Sequence, residues 1–99
     1  CASKRGVTNL TRAMALDYAK ENIRVNAICP AVIQTPMLQR EVDLQGDKQA
    51  YLKEMDELHP IGRVGRSEEV AFAVLMVACD EASFITGANI AVDGALTAV

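Results

Sequence analysis

The stretch that decides the fold is Asn22-Ile23-Arg24-Val25-Asn26-Ala27-Ile28-Cys29-Pro30-Ala31-Val32-Ile33-Gln34-Thr35-Pro36-Met37. Glu21 and Asn22 break the helical spacing before it. Ile23, Val25, Ala27 and Cys29 then alternate to one face and Ile28 adds to the other, which predicts a strand over 23–29. Pro30 ends it, because proline supplies no N–H to a ladder. Residues 31–37, short or β-branched and interrupted by Pro36, read as a loop at the strand's carboxyl end. In open parallel sheets ligands bind outside the carboxyl ends of strands. The backbone N–H groups of this loop and the Thr35 hydroxyl are therefore candidate donors to an amide or a phosphate, with an ordinary turn as the plain alternative.

Upstream, residues 3–20 carry Val7, Leu10 and Met14 on one stripe with Ala13, Leu16 and Ala19 beside it, which predicts a helix. Its apolar face is wide enough for two partners, the second being another helix or another subunit. Downstream, a helical pattern over 38–58, clearest at Leu52, Met55 and Leu58, is interrupted by Gly46 and predicts two short pieces. Ser67 can cap a further helix with Glu68 and Glu69 in its favourable first turn. Residues 70–79 are apolar on every face yet too few to cross a bilayer, so a buried helix is expected. Residues 89–92 read as a second strand closed by Asp93 and Gly94. A strand, a helical crossover and a strand form one βαβ unit, parallel and right-handed. The fold class is α/β, and since two strands make a marginal sheet, more strands are expected upstream.

The chain has 99 residues, 51% of them hydrophobic, and 10 Lys and Arg against 13 Asp and Glu give a net charge of −3. That is at most one domain. Weak acidity without a basic stripe argues against nucleic acid or an anionic membrane as partner. Cys1, Cys29 and Cys79 form no CxxC pair, and their apolar neighbours suit reduced thiols in a cytoplasmic protein. Lys4 and Arg5 are not followed by an apolar signal core.

Three further places could carry chemistry. Lys4 puts a cation at the positive end of a helix, where it is electrostatically misplaced unless it is a solvated surface lysine or has a function. His59, the single histidine, has no metal-ligand spacing around it, and reads as a loop histidine whose charge offsets a helix end; no metal is expected. Met37, Leu38, Leu52 and Met55 could line an apolar pocket or simply fill a core.

Four motifs in register give these segments a common meaning. Cys1-Ala2-Ser3-Lys4-Arg5-Gly6-Val7 matches an active-site helix of the form Tyr-x-x-x-Lys from the residue after the tyrosine. The 22–37 stretch, then Pro60-Ile61-Gly62-Arg63 with Ser67-Glu68-Glu69-Val70, and Ile85-Thr86-Gly87 with Val92-Asp93-Gly94, follow in order and spacing. Along essentially its whole length the chain resembles the carboxyl-terminal part of the short-chain dehydrogenase/reductase family. The resemblance implies a doubly wound, Rossmann-type parallel sheet, NAD or NADP as cofactor, and a small alcohol or carbonyl substrate. It implies that Lys4 bonds the nicotinamide ribose hydroxyls and lowers the pKa of the tyrosine one helical turn earlier. Pro30 and Ala31 would pack beside the ring, Ile33 would offer its backbone to the carboxamide, and Thr35 would bond carboxamide or pyrophosphate. Met37 and Leu38 would begin a substrate lid over about 36–58, and a homodimer or homotetramer would pair the first helix by two-fold symmetry. One departure stands out: Ala31 replaces a glycine, which adds a Cβ beside the ring, where it would line and narrow the substrate side of the pocket, and disfavours a positive φ. The tyrosine, the Gly-rich phosphate loop and the catalytic serine are expected upstream, so these 99 residues are expected to be inactive by themselves. The alternatives are a non-catalytic assembly module, or an epimerase or dehydratase on the same fold.

Overall fold

The computed structural model describes residues 2–98, and side chains from Arg5 onward. Cys1 and the side chain of Lys4 thus lie outside the described residues. The chain divides into two compact units, one holding residues up to Cys29 together with Ala73–Ile90, the other Pro30–Phe72 and the residues from Ala91 on.

In the first unit, helix α1 runs over Ala2–Tyr18 and tightens into a 3-10 turn at Ala19–Glu21. Asn22 ends it with φ 60°, a left-handed conformation that asparagine tolerates better than most residues. Thr11 and Ala15 are buried, while Val7, Leu10 and Leu16 are exposed, so only part of the wide apolar face is covered within this chain. Gly87 lies against α1. A Cβ there would sit 3.4 Å from that of Ala15, and its φ of +74° lies in the left-handed region that glycine adopts without strain.

Strand β1, Ala27–Pro30, begins four residues later than the alternation predicts. The reason is where residues 24–26 place their polar groups. The Arg24 guanidinium donates to the carbonyls of Val77, Cys79 and Ile85. The Val25 N–H donates to Thr86 Oγ1 at 3.1 Å, and the Val25 carbonyl accepts from the Gly87 N–H at 2.7 Å. Asn26 bonds both the Ile85 carbonyl and the Ala88 N–H at 3.0 Å. Strand β4, Asn89–Val92, pairs with β1. The Ala27 N–H donates to the Ala88 carbonyl and the Ala31 N–H to that of Val92, the partners advancing together as in a parallel ladder.

The second unit contains what the sequence presents as a plain loop. Ile33–Gln34 is a short strand, β2, and it pairs in parallel with β3, Gly65–Arg66, in the register Ile33 to Gly65 and Gln34 to Arg66. Helix α2 then starts at once, over Pro36–Asp43, with Thr35 as its N-cap, and α3 follows over Lys48–Glu57 with Asp47 as its cap. Gly46 falls between them, where the pattern breaks. Leu38 and Val42 are the buried apolar residues of α2.

Helix α4, Ser67–Ala78, departs from expectation in two ways. None of its residues is buried, and Phe72 and Leu75 are each more than 60% exposed, because two two-stranded sheets offer too little apolar surface to cover it. Its cap is also different. The Ser67 hydroxyl donates to the Gln34 carbonyl, and it is Glu69 that reaches back to the Arg66 N–H at 2.9 Å, the reciprocal half of a capping box.

Candidate functional site

The candidate segment is the run from Pro30 to Thr35, and several of its backbone groups are held by hydrogen bonds. The Ala31 N–H is tied to Val92. The Val32 N–H meets His59 Nε2 at 3.3 Å, and the Val32 carbonyl accepts from the Gly65 N–H at 2.9 Å. The Gln34 carbonyl accepts from Ser67 Oγ at 3.1 Å.

These bonds determine where Ile33 points. No peptide bond is cis, so the Ile33 N–H lies opposite the Val32 carbonyl in one planar unit. Since that carbonyl faces β3, the Ile33 N–H faces away from it. The register sends Gln34 back toward β3, so the Ile33 carbonyl also points to the open side of β2. A donor and an acceptor thus stand side by side on one strand edge, outside the ladder. Such a pair matches a primary amide, which carries one carbonyl and one NH2.

Gly65 leaves room for the Ile33 side chain: a Cβ there would lie 2.6 Å from Ile33 Cδ1, which would have to turn aside, while the Val32 carbonyl oxygen stands at an ordinary 3.8 Å.

The other sequence candidates fall as follows. Pro30 is the last residue of β1 and is exposed. Ala31 is half-buried, and it is not among the residues with positive φ, which among non-glycines are Asn22 and Ala95. Its methyl group therefore costs no backbone strain. The Thr35 Oγ1 accepts from the Leu38 N–H at 3.2 Å as the helix cap, which commits one lone pair and leaves the hydroxyl proton free to donate elsewhere. Met37 and Leu38 part company: Met37 is 70% exposed, whereas Leu38, at 6%, is packed inward. The placement of Lys4 relative to this segment falls outside the described side chains.

His59 lies just past the end of α3, as the sequence suggests, and it is buried. It is 3% exposed. Nδ1 lies 2.9 Å from the Met55 carbonyl, to which it can only donate, and Nε2 accepts from the Val32 N–H, so both bonds hold in the neutral ring protonated at Nδ1. It lines a cavity of about 230 Å³ together with Val32, Ile61, Arg63, Gly65 and Val92–Ala95. In the same region Arg63 grips Glu69 through two bonds of 2.8 and 2.9 Å. The Arg63 guanidinium, helped by the Arg66 N–H, holds the Glu69 carboxyl down to about 2. The one signal that could have exposed these roles is spacing: His59 lies two residues past α3, where a ring can turn back on the helix's last carbonyls.

Comparison with known proteins gives this geometry a context. A family model described as enoyl-(acyl carrier protein) reductase matches residues 1–97. A cyclohexanol dehydrogenase of Acinetobacter sp. is 46% identical over 97% of this chain and 35% of its own length. The ligand-free aldohexose dehydrogenase of Thermoplasma acidophilum superposes with a TM-score of 0.86 at 42% identity, over 99% of this chain and 40% of that one. A structure of ElxO with NADP bound gives 0.86 at 28% identity, over 99% and 38%. The chain belongs to the short-chain dehydrogenase/reductase family. It is an oxidoreductase-family sequence with a Rossmann-type α/β fold, and it spans well under half the length of the curated relatives it matches. No helix among the described residues is long and apolar enough to cross a membrane.

Proposed function

We propose that this chain supplies the nicotinamide edge and the substrate lid of an NAD(P)-dependent oxidoreductase that interconverts a small alcohol and its carbonyl compound. The observation that carries the reading is the outward-facing amide and carbonyl of Ile33, whose donor and acceptor suit the carboxamide of a nicotinamide. Pro30 and Ala31 would flank the ring, and the free proton of Thr35 would add one bond to the carboxamide or pyrophosphate. When bound, the dinucleotide supplies the hydride acceptor or donor. Lys4 would hold the nicotinamide ribose and, by its charge, make the proton on the tyrosine expected one helical turn earlier easier to lose.

On this reading the 99 residues form the carboxyl-terminal part of a single Rossmann-type domain. Residues 36–58, with α2 and α3, would close over the substrate with Met37 facing it. Helix α1, whose Val7, Leu10 and Leu16 are exposed here, would pair with the same helix of a second copy. The name of the Acinetobacter relative, and that of the Thermoplasma one, point to secondary alcohols and sugars as substrate classes to try first.

The test uses a complete polypeptide carrying this sequence, assayed for NADH or NADPH formation with a panel of secondary alcohols. Cofactor-dependent turnover is expected, with Lys4→Ala reducing kcat/KM at least about a hundredfold, the lower range for loss of a group assisting proton transfer. The 99-residue chain by itself is expected to give none. Turnover by the isolated chain, or a Lys4→Ala variant as active as the parent, would overturn the assignment.

A further inference from the structure

Resting on the nicotinamide reading, we propose that His59 is a positioning residue for the cofactor: its neutral ring fixes the peptide plane on which the Ile33 edge depends. The two peptide units flanking Val32 are each anchored once. The unit between Val32 and Ile33 is held by the bond from the Gly65 N–H to the Val32 carbonyl, and the unit between Ala31 and Val32 by the bond from the Val32 N–H to His59 Nε2. Removing the second anchor frees the backbone one residue before the donor and acceptor that would meet the carboxamide. It also leaves the Val32 N–H, a half-buried donor, without its acceptor.

The ring is built into this role from its other side. Nδ1 donates to the Met55 carbonyl in the last turn of α3, which sets the tautomer and leaves the Nε2 lone pair facing Val32. The ring sits in a buried place, since a Cβ on neighbouring Gly94 would come within 3.5 Å of that of His59. His59 touches no reacting atom on this account. It acts through the main chain.

Two substitutions separate the two faces of the imidazole. In His59→Asn the amide falls near the place of Nδ1, so the bond to Met55 can persist while the Val32 N–H loses its acceptor. In His59→Gln the amide reaches the place of Nε2 and can accept from Val32. The experiment measures NADH and NADPH binding by fluorescence titration, the cofactor KM and kcat, and the melting temperature, in the complete polypeptide and both variants. His59→Asn is expected to weaken cofactor binding about tenfold, the scale of one lost hydrogen bond. The loss should appear in the cofactor KM more than in kcat, and His59→Gln should restore most of it. In the unliganded parent, ring 15N shifts are expected to show the neutral ring protonated at Nδ1.

Equal cofactor affinity in the parent and His59→Asn would overturn the proposal, as would a loss in both variants that merely tracks the melting temperature, or a ring protonated at Nε2. A parent that binds neither NADH nor NADPH is a different outcome: it overturns the nicotinamide reading, and this inference with it.

Discussion

Arg24 and Thr35 show how single residues of the 22–37 stretch divide the labour between holding the fold and serving a site. Arg24 carries three bonds to main-chain carbonyls, two of them at the end of α4, where a cation also meets the negative end of the helix dipole. Replacing it by methionine keeps the aliphatic stem and strands those carbonyls. A loss of about 2 kcal/mol is expected in urea denaturation of the complete polypeptide, the scale for hydrogen bonds to a charged group. Thr35 is different, because its hydroxyl has two uses. Thr35→Ala should cost about 1 kcal/mol through the lost helix cap, and Thr35→Ser should recover it. If the hydroxyl proton also serves the cofactor, the alanine variant weakens NAD(P) binding and the serine variant does not.

Among the elements, the β2–β3 pair is the most demanding, being two residues on each strand with a glycine at its centre. Gly65→Ala would drive its methyl group against Ile33 Cδ1, a side-chain end that can turn aside, so a cost of about 1 kcal/mol, the low end for overpacking, is expected. Ile33→Val removes that Cδ1, so the double variant should be more stable than the two single effects sum to, a coupling that a double-mutant cycle in urea reads directly. The start of α4 gives a pH prediction. Glu69 has a folded-state pKa of about 2, below the ordinary carboxylate value, so its stabilising effect is complete above that ordinary value and vanishes as pH falls towards 2. Melting temperatures of the parent and Glu69→Gln should therefore differ most near neutral pH and converge in acid.

These elements also show what the chain's letters disclose and what they hide. Helix periodicity, the break at Gly46 and the parallel βαβ arrangement are written in local spacing, whereas the candidate loop over 31–37 is chosen from its place at a strand's carboxyl end. The late start of β1 was hidden because Arg24 and Asn26 bond to residues more than fifty positions away, which alternation cannot reveal. Strand β2 was hidden because two residues are too short for any period, and its partner is identified only by the space Gly65 leaves. The place of His59 at a helix end is legible in its spacing, but its burial and its bond to the Val32 N–H, 27 positions away, are not.

For the whole molecule, the decisive fact is how much apolar surface this length leaves open. Phe84 is fully exposed, and Leu75 and Phe72 stand out from α4, more than singly scattered apolar residues account for. The 99-residue chain expressed by itself should accordingly bind a hydrophobic dye such as ANS and elute as mixed oligomers in size-exclusion chromatography, while a complete polypeptide should do neither. The Ile33 edge has one more consequence at this scale. Because the contact offered there is made by main chain, many side chains at 33 would serve, provided they clear Gly65. The spacing is another matter. Deleting one residue between Pro30 and Thr35 would turn the outward pair inward and put an occupied pair in its place, so the molecule should tolerate changes of spelling in this segment and no change in its length.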